Sequence, residues 1–311
     1  MSKNANTESF GRFDFVGNIK IFGGISTILI LASFIYLAVK GISWGIDFKG
    51  GTEIQVKFAQ PVTIDEVRAA VAGLPLGETG IQGFGEGNEF IIRFVGEKGA
   101  TDKETNEKLN ASIASVKETI NSKFSNKSPD FRRVDSVGPQ VGSELKRNGF
   151  LSVFYCLIVI LVYVSMRFDY KYSPGAVVCL LHDVVITLAI FVLVGKEVNV
   201  PILAALLSLI GFSLNDTIVV FDRIRETESS YRGKDSSFII NKAINDMLGR
   251  TFITAGSLAL TALCLYLFAG GVVSDIAFVI TIGLFFGTYS SIYVAAPLIL
   301  LMEKLKSPKT A

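Results

Sequence analysis

The chain has 311 residues, half of them hydrophobic, with 19% charged residues and a formal net charge of +2; its mean hydropathy is +0.48. The apolar residues come in long uncharged blocks, which marks a polytopic α-helical membrane protein and excludes an ordinary soluble domain. The near-neutral balance, without a basic tract, leaves no footprint for nucleic acid. No G-x-x-x-x-G-K-[ST], H-E-x-x-H or G-x-S-x-G pattern is present, so the chain is expected not to be an enzyme and to hold no metal or organic cofactor. Cys156, Cys179 and Cys264 fall in apolar runs and read as small buried hydrophobes, not as a disulfide or metal set.

Residues 1–20 are polar with Lys3, Arg12 and Lys20, and 21–40 form the first span. The apolar run exceeds a usual signal-peptide core and no A-x-A site follows it, so an uncleaved helix is expected. Residues 41–147 make the one large polar block, with charges nearly balanced. Thr52–Phe58 alternates as a strand does, and Pro61–Leu74 has helical spacing with Thr63 as cap. Ile81–Phe84 and Glu89–Val95 read as a strand pair around Gly85-Glu86-Gly87-Asn88. A helix over Ala100–Phe124 and a strand over Phe131–Val137 complete a β-α-β-β-α-β order, the pattern of a small α+β ferredoxin-like domain.

Residues 148–302 supply five more spans: Phe150–Met166, Pro174–Val194, Val198–Phe221, Thr251–Gly271 and Ile276–Met302. Segments 1–20, 167–173, 222–250 and 303–311 share one side and hold 3, 2, 6 and 3 basic residues, whereas 195–199 and 270–275 hold only Lys196. Both termini and the 222–250 loop are therefore expected in the cytoplasm, and the polar domain outside. Within 222–250, the spacing of Phe238, Ile239, Ala243, Ile244, Met247 and Leu248 predicts a short amphipathic helix on the membrane surface, ending at Arg250.

Val198–Phe221 carries one charge, Asp216, about 9 Å from the end marked by Asp222 at 1.5 Å rise per residue. A charge at mid-membrane costs roughly 2.5–3.5 kcal/mol, so such a residue is expected to act on ions or protons. Ala204, Ser208, Gly211 and Asn215 form a small or polar stripe beside it, suited to close helix contact. Arg250, at the head of the next span, can turn inward toward the acid or serve as an interfacial anchor. His182 and Asp183 read as proton-access or helix-contact residues near the inner interface, but neighbours point about 100° apart, so both are not expected to face one site. Gly50 and Gly51 are expected to allow a turn, forming with Asp47 a hinge at the exit of the first span.

Two motifs now stand together. Trp44-Gly45-Ile46-Asp47-Phe48-Lys49-Gly50-Gly51-Thr52 follows the first span, and Val137-Gly138-Pro139-Gln140-Val141-Gly142-Ser143-Glu144-Leu145 enters the second. With Leu214-Asn215-Asp216-Thr217-Ile218-Val219-Val220-Phe221-Asp222-Arg223, Leu181-His182-Asp183 and Arg250-Thr251-Phe252-Ile253-Thr254, the chain resembles the SecD/SecF family of the bacterial protein-export machinery. The resemblance implies half of a resistance-nodulation-division (RND) architecture, completed by SecD as the partner half. It further implies action with the SecYEG channel on a translocating unfolded preprotein, driven by the proton-motive force with protons as the only coupling ion. By position, Asp216 and Arg250 fall on the family's proton-relay residues. A half-size RND-type transporter of small molecules or lipids is the alternative.

Overall fold

The computed structural model describes residues 11–83, 87–96, 99, 101–168 and 171–306. Residues 1–10, Phe84, Gly85 and Glu86 of the expected hairpin, Ala100 at the expected helix start, and 169, 170 and 307–311 of the expected cytoplasmic segments lie outside them.

The first helix, α1 (Ile19–Lys40), buries only Ser26 and Ser33, while Ile28, Ile35 and Val39 are exposed. A lipid-facing helix inverts the soluble rule in this way, turning aliphatic side chains outward and small polar ones toward the protein. It ends at Gly41 (φ 76°), and a four-residue helix, α2 (Ile46–Lys49), follows. The polar domain then runs β1 (Gly51–Phe58), α3 (Ile64–Val71), β2 (Thr79–Gly83), β3 (Glu89–Phe94), α4 (Asp102–Lys123) and β4 (Pro129–Val137). Thr63 and Glu66 form a reciprocal capping box at the start of α3, as the T-x-x-E spacing requires. The four strands form one antiparallel sheet in the order β2-β3-β1-β4. Ile54, Val56, Phe58, Ile92 and Phe94 on one face bury against Val67 and Val71 of α3 and Val116 and Ile120 of α4.

Gly138 and Pro139 end the domain and open α5 (Pro139–Arg167), proline being pre-set for the first helical position. Then come α6 (Ser173–Leu193), α7 (Val200–Ser230), α8 (Ser236–Phe268), α9 (Gly271–Ser290), a π-helical turn (Ser291–Ala295) and α10 (Ala296–Lys306). Among the described residues, six helical runs are long and apolar enough to cross a membrane, and α6 is the most enclosed of them. The fold is thus a polytopic helical membrane protein. Two apolar clusters pack the bundle. Phe191, Val192, Ile202, Leu206 and Leu209 lie toward the domain, and Phe168, Tyr172, Phe221, Ile240, Ala243 and Ile299 toward the opposite, distal end.

Two expectations need correction. The surface helix ending at Arg250 is instead the first half of an unbroken 33-residue α8. Its Ile239, Ile240, Ala243, Ile244 and Met247 bury against the bundle, so its apolar face meets protein. With α7 reaching Ser230, only residues 231–235 of 222–250 are a connection. The distal half of α8 also seats the N-terminal segment. Asn241 Oδ1 accepts from the Phe15 and Val16 amides at 2.8 and 3.0 Å, and Asn245 Oδ1 from Arg12 and Phe13 at 3.0 Å each. The cysteines also divide: Cys179 is buried, Cys156 half-buried and Cys264 exposed.

Candidate functional site

α7 is fixed first at its domain end. Asn199 caps it by accepting from the Ile202 amide at 3.0 Å, and Asp47 Oδ2 accepts from the Val200 amide at 2.9 Å. An acid that accepts from a first-turn amide at the positive end of a helix dipole is held by both. Asp47 thus ties α2 to the helix that carries Asp216. Two further contacts fasten the domain to the bundle: Gly45 N–H to Val198 O at 2.7 Å, and Val198 N–H to Ser43 O at 2.8 Å. Arg93 bridges Glu53 at 2.7 Å and Glu197 at 3.4 Å.

Gly50 and Gly51 sit where the two motifs meet. Both have positive φ, 77° and 138°. A Cβ on Gly50 would lie 2.8 Å from Pro139 Cα, one on Gly51 2.8 Å from Phe94 O, and one on Gly142 3.0 Å from Gly50 N. The glycines are therefore required by backbone-to-backbone contact between α2, α5 and the sheet.

Asp216 is half-buried on α7 and forms no ion pair among the described residues. The Thr288 hydroxyl on α9 faces its carboxylate without closing a hydrogen bond. Arg250 is exposed and is not brought into a salt bridge with Asp216. It lines a cavity of about 490 Å³ at the distal end, with Ile218, Val219, Asp222, Arg223 and Asp246. Val219 lies three residues, about 4.5 Å of helix rise, from Asp216, so this cavity climbs from the charged end to within a turn of the acid. Its acids are largely engaged: Asp246 pairs with Arg223 and Lys242 at 2.7 Å each, and Asp222 with Arg225 at 3.3 Å. The stripe expected to make close contact, Ala204, Ser208, Gly211 and Asn215, is exposed, and a Cβ on Gly211 would meet nothing within 4 Å.

His182 and Asp183 occupy neither the place nor the arrangement expected of them. Asp183 is the eleventh of 21 residues in α6, in the middle of the helix. Their side chains do face one site: His182 Nδ1 is 2.9 Å from Asp183 Oδ1, and they are 2% and 1% exposed. The 100° between neighbouring Cα–Cβ bonds is overcome by side-chain reach. Asp183 Oδ2 accepts from Ser213 Oγ of α7 at 2.5 Å and Ser290 Oγ of α9 at 2.8 Å. Cys179 Sγ lies 2.9 Å from Ser290 Oγ and 3.7 Å from Thr217 Oγ1. A polar thread thus joins three helices between the two apolar clusters and ends at Thr217, beside Asp216 in sequence. What permits it is the close approach of α9: a Cβ on Gly283 would lie 2.4 Å from Leu209 side-chain atoms, and one on Gly287 3.3 Å from Ser213 Cβ. Gly283-Leu-Phe-Phe-Gly287 is a G-x-x-x-G spacing, the sequence signal that could have placed α9 against α7.

Comparison with known proteins agrees with this geometry. The model of the "Protein export membrane protein SecD/SecF, C-terminal" family matches residues 116–305, and that of the "SecD/SecF GG Motif" matches 35–62. The bundle and the glycine junction therefore define a protein-export membrane protein of the SecD/SecF class. The chain is 41% identical over 295 residues to a protein translocase subunit SecF of Calditerrivibrio nitroreducens, covering 94% of this chain and 95% of that one. It is 42% identical over 299 residues to that of Magnetococcus marinus, covering 96% and 94%. Within the class, the chain belongs to the SecF family. A solved structure of SecDF, a translocon-associated membrane protein from Thermus thermophilus, superposes with a TM-score of 0.80 at 32% identity, over 94% of this chain and 39% of that one.

Proposed function

We propose that the chain is an accessory subunit of the Sec translocase that couples a proton gradient to the export of secreted proteins. It sits in the bacterial inner membrane with both termini cytoplasmic, pairs with SecD as the other half of an RND-type unit, and acts beside SecYEG on the emerging preprotein. The polar domain is read as ferredoxin-like from its β2-β3-β1-β4 order. No covalent chemistry and no cofactor beyond the proton enter this reading. One observation carries it: Asp216 lies half-buried in a spanning helix, without an ion pair among the described residues, one turn above the charged distal cavity that Arg250 lines. A carboxylate in that position can take and release a proton as access changes. Each 100 mV of potential supplies about 2.3 kcal/mol per charge to drive the change. Arg250 at the cavity rim stabilises the charged state when the cavity opens toward Asp216, and that alternation moves the domain through the Gly50–Pro139 junction.

Asp216→Asn keeps the shape and removes the titration. In vesicles with the potential set at two values and protein levels matched, this variant is expected to export at one gradient-independent rate. An unchanged gradient response in Asp216→Asn would remove the coupling claim. Arg250→Lys separates coupling from anchoring, because a snorkelling anchor tolerates lysine and a guanidinium pairing in a planar fork does not.

A further inference from the structure

The buried pair on α6 contains the chain's single histidine. Around it the hydrogen bonds are almost complete. Asp183 accepts from Ser213 and Ser290 on Oδ2, and its Oδ1 lies 2.9 Å from His182 Nδ1. With Nδ1–H as the donor, the carboxylate has three donors. The other imidazole nitrogen, Nε2, then carries a bare lone pair, and it is buried without a hydrogen-bond partner among the described residues. Buried polar atoms are nearly always paired, and an orphan at mid-membrane calls for a function or a ligand. The other titratable groups against the pair are the Cys179 thiol on α6, bonded to Ser290, and Tyr289 on α9, which stacks on the imidazole at 6.4 Å. The Tyr289 hydroxyl is occupied by α1, donating to Phe22 O at 2.7 Å and accepting from Ser26 at 3.1 Å. Directly after Ser290 the helix widens into the π-turn Ser291–Ala295, a feature frequent at functional sites.

We propose that His182 and Asp183 form a second proton-binding site, placed in series with Asp216; this rests on the proton-coupling reading above. A proton adds to Nε2, and the Nδ1 proton passes to Asp183 Oδ1. One N–H bond forms, one N–H bond breaks, one O–H bond forms, and the imidazole ends neutral as its other tautomer. Ser213, which holds Asp183, is three residues from Asp216 on α7, so the two acids differ in depth by about one turn, 4.5 Å. The thread Asp183–Ser290–Cys179–Thr217 ends on the residue that follows Asp216 in α7.

A single histidine makes the test direct. The full chain, ¹⁵N-labelled at histidine, carrying a tag without histidine and assembled with its unlabelled membrane partner, is reconstituted in liposomes. The lone imidazole signal is then read by solid-state NMR with and without an imposed proton gradient. The gradient is expected to move it from the Nδ1–H to the Nε2–H form, and Asp183→Asn to abolish that change. In parallel, gradient-dependent export is measured for His182→Gln, whose amide still donates to Asp183 but cannot relay a proton. It is expected to fall to the rate seen without a gradient. A tautomer that stays fixed under the gradient, or a His182→Gln protein that exports as the wild type does, overturns the proposal. If His182→Gln fails to accumulate, Asp183→Asn is judged by the same two readouts. Asp216→Asn run alongside keeps the two readings apart. Loss of gradient response there, with an indifferent His182→Gln, refutes only the second site; a gradient response retained there refutes the coupling reading itself.

Discussion

Replacing Gly50 with alanine tests whether this glycine is a joint or a close-packed contact. The Gly50 backbone, at φ 77° and ψ 157°, lies in a region occupied almost only by glycine, where another residue costs about 1–3 kcal/mol. The new methyl carbon would also lie 2.8 Å from Pro139 Cα and 3.0 Å from Pro139 N. Those are backbone atoms that no rotamer change can move, and forcing a methyl into a filled contact costs about 1–3 kcal/mol more. At least about 2 kcal/mol should be lost, or on the order of 3 °C in unfolding temperature for a chain of 311 residues. The chain's one tryptophan reports on the spot: the Trp44 ring lies 5.3 Å from Phe48 and 5.7 Å from Phe150, with Lys146 Nζ 4.5 Å from its centroid. Its fluorescence, followed on heating the purified protein in mild detergent, should shift early in Gly50→Ala. Gly73→Ala is the control, because a Cβ there meets nothing within 4 Å. Coincident melting curves for the two variants would refute the close-packing argument. Full stability with lost export would restore the joint.

Two further outcomes are expected. Asn241→Ala removes the acceptor for the Phe15 and Val16 amides and the donor to Asp14; at about 1 kcal/mol per bond, amide exchange over residues 13–16 should rise more than tenfold while α7 stays protected. Glu66 has its pKa lowered, first by the Thr63 amide and then by Lys127, against a smaller effect of burial. A depressed folded-state pKa gives stability that is present above the unfolded value and lost as pH falls through the folded one. The first turn of α3 should therefore fray on acidification, seen as a smaller amide protection factor at Val67 once the intrinsic exchange rate is divided out, and Glu66→Gln should flatten that pH dependence.

What the residues disclosed in advance follows from the range of the forces involved. Spans and strands were legible because apolar runs and alternation are local, and the Thr63 capping box needed only four consecutive residues. The order of the small domain followed from those elements. The Asp183 centre was not legible, because its partners Ser213 and Ser290 lie 30 and 107 residues away. Helix geometry by itself argued that His182 and Asp183 diverge; only the side-chain torsions bring them together. The spacing over 238–248 read as a surface helix ending at Arg250 because Asn241 and Asn245 gave it a polar face, whereas those two side chains hold a segment more than 220 residues earlier and the helix runs on. The stripe on α7 was expected to make close helix contact and is instead exposed, because small side chains permit close approach without specifying a neighbour.

The asparagine clamp also bears on how the protein is made. The Arg12 amide leaves the ribosome 233 residues before Asn245, the side chain that receives it. At roughly 5–20 residues per second of synthesis, that gap lasts on the order of 10 to 50 s. During that time α1 and the spans after it enter the bilayer while residues 12–16 keep water as their hydrogen-bonding partner. Arrival of the first turns of α8 then fastens the beginning of the chain to its fifth span, joining elements distant in sequence. The clamp is thus a late step in biogenesis, and a chain stalled before α8 would hold its first helix by lateral packing alone.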